Sequence, residues 1–172
     1  MTQKKYELLK NDTITAPNGK TLYRIKALID FGVVLAGSLG GYIEKEDNLA
    51  HSGNAWVSGN AQVSGNAWVF GNAEVFGNAC VSDDAWVSGN ARVCSKKDLV
   101  WFSNVGTEQG TLTVYKSKDD SLLATRGCFN GTVDEFLAKS AKVHDERIKR
   151  EYRLLIEVAK SRLLGESYVP TF

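Results

Sequence analysis

Seven consecutive hexapeptides occupy residues 53–94 and constrain the fold of this 172-residue chain more than any other feature. They read GNAWVS, GNAQVS, GNAWVF, GNAEVF, GNACVS, DDAWVS and GNARVC. Ala and Val alternate with other residues, which is the two-residue period of a β-strand, and Gly-Asn supplies the positive φ of a tight corner. Asp83-Asp84 replaces Gly-Asn once, and Asp tolerates that conformation. A glycine at every sixth position would cost a helix about 1 kcal/mol each, so the pattern predicts short strands separated by corners.

Two arrangements of such strands remain. Antiparallel hairpins with Gly-Asn turns would give a narrow and weak ribbon, which favours a parallel coil. The repeat closely resembles that of the hexapeptide-repeat family, whose left-handed β-helix takes three hexapeptides per triangular coil. The resemblance implies a mainly β protein with a short left-handed parallel β-helix of a little over two coils.

A coil of this kind stacks residue i on residue i+18 at about 4.8 Å and sorts the outward side chains into faces. The first face carries the column Trp56, Glu74 and Arg92, with Phe76 in the neighbouring column. The second carries Gln62 over Cys80, which separates Cys80 from Cys94, so no disulfide is expected. The third carries Trp68 over Trp86, with Phe70 beside them.

The aromatic third face would expose an apolar patch of about 300 to 600 Å² if it were left open. We therefore expect a neighbouring subunit or the C-terminal helix to cover it. The predicted oligomer or cap interface consists of Trp68, Phe70, Trp86, Tyr152, Leu155 and Ile156.

The segments that flank the repeat are predicted to cap its open edges. Residues 1–33 form an N-terminal β-hairpin cap around Pro17-Asn18-Gly19. Residues 34–97 form the β-helix, in which residues 34–52 make an irregular first coil because Ile43 and Leu49 are shifted by two positions from the valine series. Residues 98–172 form an α+β cap. It contains strands at 99–103, 111–116 and 122–129, a helix that begins at the capping box of Thr132 and Glu135, and a helix from Asp145 to about Leu164.

Composition excludes several classes of function. The formal charge of +1 disfavours general nucleic-acid binding. No apolar run approaches the roughly 20 residues that span a bilayer, and three cysteines suit a reducing compartment, so we expect a cytoplasmic protein without membrane contact.

Catalytic chemistry has few candidates in this sequence. Many hexapeptide-repeat proteins are acyltransferases that use a His as general base, and only His51 and His144 are present. A degenerate acyltransferase that uses a coenzyme A thioester, with His51 as its base, is therefore the alternative interpretation. Cys and His spacings fit no zinc site, so neither a metal nor a cofactor is predicted, and a non-enzymatic protein is favoured.

The order of further motifs gives a second resemblance. The segments YELL, TLYRIKAL, LGGYIEKEDNL, VWFSNVG and GCFNGTVDEF surround the GNA repeats as they do in a family of uncharacterised repeat proteins common in phage and prophage genomes. This resemblance implies a viral origin and the host cytoplasm, but no agreed activity. Hexapeptide-repeat proteins are typically trimers, so a homo-oligomer, most simply a trimer, is expected.

The favoured function is therefore that of a phage-encoded binding or scaffold protein that antagonises bacterial defence, by sequestering a small nucleotide signal or by blocking a host protein. Trp56, Phe76 and Arg92 are the predicted ligand-binding or partner-binding residues, since an aromatic ring can stack on a base while a guanidinium holds phosphate. Nearby cations that fit the same role are Arg126, Lys96 and Lys97. The competing interpretation is that these aromatic residues only pack against a cap.

Overall fold

The computed structural model describes residues 3–165, in which strands predominate and two helices lie at the C-terminal end. The mainly β class with two C-terminal helices is thus confirmed. Residues 1–2 and 166–172 of the predicted caps lie outside the described range. The elements are β1 (Tyr6–Thr15), β2 (Thr21–Ala27), β3 (Leu39–Ile43), β4 (Trp56–Val57), β5 (Gln62–Val63), β6 (Trp68–Val69), β7 (Glu74–Val75), β8 (Cys80–Val81), β9 (Trp86–Val87), β10 (Arg92–Val93), β11 (Leu99–Val105), β12 (Gly110–Lys116), β13 (Leu122–Arg126), β14 (Phe129–Thr132), α1 (Val133–Val143) and α2 (Glu146–Leu164).

Strands of the repeat pair in parallel with the strand 18 residues further along the chain. Trp56 pairs with Glu74 and Glu74 with Arg92, while β5 pairs with β8 and β6 with β9 in the same register. This confirms the predicted stacking of side chains. The repeat alanines and valines are all at most 1% exposed, and its corner glycines have φ between 63° and 71°. Asp83 adopts a φ of 56°, as its place in the pattern predicts.

Backbone hydrogen bonds join the stacked layers through parallel pairing, in which each strand both donates to and accepts from its neighbour. The N–H of Trp56 donates to the carbonyl oxygen of Ala73 (3.0 Å), and the N–H of Gln62 donates to that of Ala79 (2.9 Å). The outer edges of the first and last layers therefore both keep backbone groups that need partners from outside the repeat.

The edge of the first layer is closed by the N-terminal segment. β1 and β2 form the predicted antiparallel hairpin, and β3 pairs with β2 on one side and, in parallel, with β5 on the other. Ile43 lies opposite Val63, 20 residues on, which confirms the two-residue shift of the irregular first layer. The buried Lys5 Nζ donates to the carbonyl oxygen of Ala55 (2.6 Å), and Asn48 Nδ2 donates to that of Ala67 (2.8 Å).

The edge of the last layer is closed by the C-terminal segment. The N–H of Trp86 donates to Thr113 Oγ1 (3.1 Å), and that of Ser88 to the Tyr115 hydroxyl (3.2 Å). The N–H of Cys94 donates to Asp98 Oδ2 (2.9 Å). The two caps thus supply the polar partners that each edge lacks.

The C-terminal sheet has the order β11-β12-β13-β14, and both helices pack on it. The strand predicted over 122–129 is wrong in extent, because the chain turns at Gly127 (φ 57°) and starts β14. The capping box at Thr132 and the N-cap at Asp145 are confirmed. No helix within residues 3–165 is long and apolar enough to cross a bilayer.

Of the two covers expected for the third face, a neighbouring subunit or the C-terminal helix, the helix is not found there within residues 3–165. α2 does not cover the third face of the repeat, because its apolar side is buried against its own sheet. Tyr152 and Ile156 are at most 1% exposed there, in a cluster with Leu112 and Val114, and Leu155 packs at the margin of the same cluster.

Candidate functional site

A cleft of about 520 Å³ runs along the first face of the repeat, and we call it the Arg92 cleft. It brings together the three residues predicted as a binding site: Trp56, Phe76 and Arg92. Glu74, from the same column, also lines it, and the other walls are the turn at 32–34, the corner residues Asn54, Asn72 and Asn90, and the side chains of Ser58 and Lys118.

Charge and ring chemistry in this cleft centre on Arg92. Its guanidinium carbon lies 5.4 Å from the centroid of the Phe76 ring, which is a cation–π distance. Lys118 Nζ lies 3.6 Å from Glu74 Oε1, so these two charges offset each other. The exposed Arg92 is left as the net charge of the cleft, which therefore favours an anion.

Trp56 has a different part in the cleft from the one predicted. It was expected to point outward for stacking, but only 8% of it is exposed. The rings of Phe31 and Tyr6 pack edge-on against it, with centroid distances of 5.2 and 6.3 Å. A Cβ on Gly40 would lie only 2.8 Å from the indole, so a glycine is needed there. Trp56 is therefore a wall of the cleft, whereas the Phe76 ring lies beside Arg92.

Two cleft elements were missed by sequence reasoning. Phe31 and Val34 exchange two backbone hydrogen bonds of 2.8 and 2.9 Å around Gly32, whose φ is 53°. This small turn covers Trp56, and its only sequence signal is the Phe-Gly pair. Lys118 comes from the loop after β12, whereas the predicted Arg126, Lys96 and Lys97 do not line the Arg92 cleft.

The aromatic third face is less open than expected. The rings of Trp68 and Phe70 stack with centroids 3.8 Å apart and are half-buried, and Trp86 packs edge-on against Trp68 at 5.1 Å. Only Trp86 counts as exposed, at 38%, and it borders a second cleft. Mutual stacking, instead of a covering helix, shields the other two rings.

His51 is held in a structural position. Its ring stacks on Tyr6 with centroids 4.2 Å apart, and its Nδ1 accepts the backbone N–H of Lys5 (3.0 Å). Nε2 is buried and lies 3.4 Å from Glu46 Oε2. A hydrogen bond from Lys4 is the main cause of the lowered pKa of Glu46. Neither nitrogen of His51 faces the Arg92 cleft. His51 is therefore not placed to act as a general base on a molecule bound in that cleft.

The other reactive groups are dispersed. His144 Nδ1 lies 2.9 Å from Ser140 Oγ at the end of α1, and the three cysteines are unpaired. Across residues 3–165, no group of three or more His, Cys, Asp or Glu side chains is placed to hold a metal ion.

The chain matches no protein-family model, and a search of curated proteins gave no significant match. Functional inference therefore rests on the geometry of the clefts.

Proposed function

We propose that this protein is a non-enzymatic binding protein built on a short left-handed β-helix, and that a nucleotide binds in its Arg92 cleft. The order of the sheets supports the coil. β4, β5 and β6 belong to three different sheets, and β7, β8 and β9 return to the same three sheets in the same order. The left hand and a place in the phage repeat family are proposed from the resemblance of the GNA repeats.

The observation that carries the ligand proposal is the position of Arg92 over Phe76. A nucleotide combines a flat base with phosphate, and the cleft combines a phenyl ring with a guanidinium whose charge no carboxylate in the cleft offsets. Its volume of about 520 Å³ lies within the usual range of small-molecule pockets. The amides of Asn54, Asn72 and Asn90 supply donors and acceptors for base edges and ribose.

We propose further that the protein is a homo-oligomer, a trimer by family resemblance, in which a second copy closes the Arg92 cleft. Val33 is 94% exposed and Leu35 66% exposed, and the turn that carries Val33 forms one wall of the cleft. A neighbour packed on these side chains would bury apolar surface and seal the ligand at a subunit junction. Light scattering of the purified chain should give a trimer, and Val33→Asp should dissociate it; a monomeric wild-type chain would contradict this step.

The biological role that follows is the removal of a nucleotide signal from a bacterial defence pathway in the host cytoplasm. Binding without turnover suffices for that role, in keeping with the structural position of His51. The test is a melting screen of the full chain with cyclic and linear nucleotides. A ligand at about 100 times its Kd should add about 2.7 kcal/mol of stability.

Matched variants separate the site from a general charge effect. Arg92→Ala should abolish the nucleotide-induced shift, whereas Arg150→Ala removes the same charge from the exposed side of α2 and should keep it. The bound nucleotide should be recovered chemically unchanged. If no nucleotide shifts the melting curve and one host protein is retained on the immobilised chain, the role is to block that protein. Turnover of a coenzyme A thioester that His51→Ala abolishes would instead establish the acyltransferase.

A further inference from the structure

A second cleft, of about 400 Å³, lies where the third face of the repeat meets the C-terminal sheet. We call it the Trp86 cleft. It shares no lining residue with the Arg92 cleft. Its side chains that can contact a ligand are the Trp86 indole, the amides of Asn66, Asn104 and Gln109, the Asp84 carboxylate and the Arg126 guanidinium.

Trp86 is a fixed and open aromatic surface. At 38% it is the one tryptophan of the chain that ranks as exposed. Its backbone N–H donates to Thr113 Oγ1 (3.1 Å), and its carbonyl oxygen accepts from Thr125 Oγ1 (2.7 Å). The Trp68 ring packs edge-on against the indole at 5.1 Å. The indole is therefore positioned before any ligand arrives, which lowers the entropy lost on binding.

The polar groups of the cleft carry no net charge. Asp84 and Arg126 are its single anion and single cation. Asp84 Oδ1 accepts from Asn66 Nδ2 (3.2 Å). Arg126 Nη2 donates to the carbonyl oxygen of Val105 (3.2 Å), and among residues 3–165 the guanidinium has no ion-pair partner and its Nε no hydrogen-bond partner. The wall of the cleft thus carries hydrogen-bonding side chains without an excess of charge.

Two amide side chains are held in the cleft by an uncommon backbone. Asn104 has a φ of 62° and Gln109 a φ of 52°, in the left-handed region that glycine adopts most easily, asparagine less easily and glutamine rarely. Glycine would fit either position with less strain. What these residues add, compared with glycine, is a side-chain amide. Both amides line the cleft.

From these contacts we infer that the Trp86 cleft binds a saccharide through one pyranose ring. The C–H face of a pyranose is apolar and flat enough to pack on an indole, while its edge carries neighbouring hydroxyl groups. Amides and carboxylates both accept hydrogen bonds from hydroxyl groups, and amides and guanidinium donate to them. The net neutral lining suits a neutral, polyhydroxylated ligand, whereas a polyphosphate would meet the Asp84 carboxylate as well as Arg126.

Two sources supply such a ring: a polysaccharide chain and a sugar nucleotide. Both present the same pyranose to the indole, and they differ in what is attached to it. The proposal concerns the ring, and the titration below distinguishes the sources.

Indole N–H signals of the ¹⁵N-labelled full chain test the proposal in one titration. The chain has four tryptophans, and Trp86→Phe assigns the Trp86 signal by its loss. The probes are methyl pyranosides of glucose, galactose, mannose and N-acetylglucosamine, the matching oligosaccharides and UDP-sugars, and UDP alone. A saturable shift of the Trp86 signal by at least one glycoside, with a Kd in the millimolar range or tighter, is the expected result.

The same spectra separate this site from the nucleotide site, because Trp56 borders the Arg92 cleft and Trp86 does not. A nucleotide should move the Trp56 signal, and a glycoside the Trp86 signal. Tighter binding of an oligosaccharide assigns a polymer as the source, and tighter binding of a UDP-sugar assigns a sugar nucleotide. Failure of every glycoside, or a Trp86 shift with UDP alone, would overturn the inference whatever the Trp56 signal does.

Glycine substitutions keep the test independent of folding. Asn104→Gly and Gln109→Gly remove the amides while they relieve the backbone, so the melting temperature should stay or rise while glycoside affinity falls at least tenfold. Asp120→Gly is the matched control, because Asp120 has a φ of 65° but lies outside the cleft. Its glycoside affinity should equal that of the wild type. Unchanged affinity in both amide variants would refute the assigned contacts.

Discussion

The close stacking of the corners makes Gly71 and Gly89 a matched pair for testing how the repeat is held together. Both have a similar backbone, with φ of 68° and 64°. They differ in what a methyl group would meet. A Cβ on Gly71 would lie 2.9 Å from the backbone nitrogen of Gly89 in the next layer, whereas a Cβ on Gly89 would have its nearest neighbours at 3.8 Å.

The expected cost of each alanine follows from two effects. A left-handed backbone costs a residue with a Cβ about 1 to 2 kcal/mol, and the stiffer unfolded chain returns about 0.4 to 1 kcal/mol. Both variants share these two effects. They alone act in Gly89→Ala, so its free energy of unfolding should fall by about 1 kcal/mol. In Gly71→Ala the layers must also move apart at the corner, where the N–H of Asn72 donates to the Gly89 carbonyl oxygen at 3.1 Å. Loss of that bond adds about 1 kcal/mol, and disturbed core packing adds to it.

The free energy of unfolding should therefore fall by about 2 to 3 kcal/mol in Gly71→Ala and by about half as much in Gly89→Ala. Urea unfolding of both variants and the wild type measures the difference, read from midpoints at a common m-value. Equal losses would show that backbone strain alone sets the cost and that the layers do not limit the corner. A larger loss in Gly89→Ala would refute the stacking argument altogether.

Three further perturbations test the caps and the register. Burial lowers the pKa of Lys5 to about 8, so between pH 7 and 10 the unfolded chain binds more protons than the folded one. The free energy of unfolding should therefore rise by about 2 kcal/mol across that window. Lys5→Met should flatten this rise in urea titrations. Asp98→Ala should lower the free energy of unfolding by about 1 to 2 kcal/mol at pH 7 in thermal unfolding, because the N–H groups of Cys94 and Ser95 lose a charged acceptor, and a loss below 0.5 kcal/mol would contradict the capping role. Duplication of residues 71–88 adds one 18-residue layer and should give a cooperatively folded chain with a larger urea m-value. Duplication of residues 71–76 alone should destabilise the chain, because every later side chain of the repeat then moves to another face.

The lowered pKa of Lys5 also fixes the direction in which stability changes with pH. A lysine whose pKa is lower in the folded state destabilises that state when it is charged, so stability increases as the proton leaves. Above about pH 10 the trend reverses, because burial raises the pKa of Tyr6 and only the unfolded chain then ionises this tyrosine readily. A stability maximum near pH 10 that vanishes in Lys5→Met therefore distinguishes the lysine from a general alkaline effect.

Features that depend on local sequence were predicted well. The register of the repeat follows from its period, the φ of Asp83 from its place at a corner, and the start of α1 from the capping box at Thr132. Features that depend on contacts between distant segments were not. Nothing near Trp56 in the sequence indicates that Phe31 covers it, and the apolar side of α2 fits either the repeat or its own sheet equally well.

The candidate site likewise has one part that follows from the repeat and one part that depends on distant segments. Arg92 and Phe76 share a cleft because the 18-residue stacking brings their columns together, and this could be predicted. Lys118 enters from a loop after β12, and its pairing with Glu74 decides the net charge of the cleft. Such long-range pairings require the arrangement of the cap on the repeat, which no periodicity encodes.

The two caps close the open edges of the repeat with different side chains. At the first edge a buried lysine and a buried asparagine donate to carbonyl oxygens, and the Glu44 carboxylate accepts from the Gly65 N–H. At the other edge Asp98, Thr113 and Tyr115 accept from backbone N–H groups, and Thr125 Oγ1 donates to the Trp86 carbonyl oxygen. Because both edges are paired with groups of the same chain across residues 3–165, a second copy would find no free row of backbone groups there on which to extend the repeat end to end. The association proposed above would then use the sides of the repeat, where the exposed turn at 32–34 and both clefts lie.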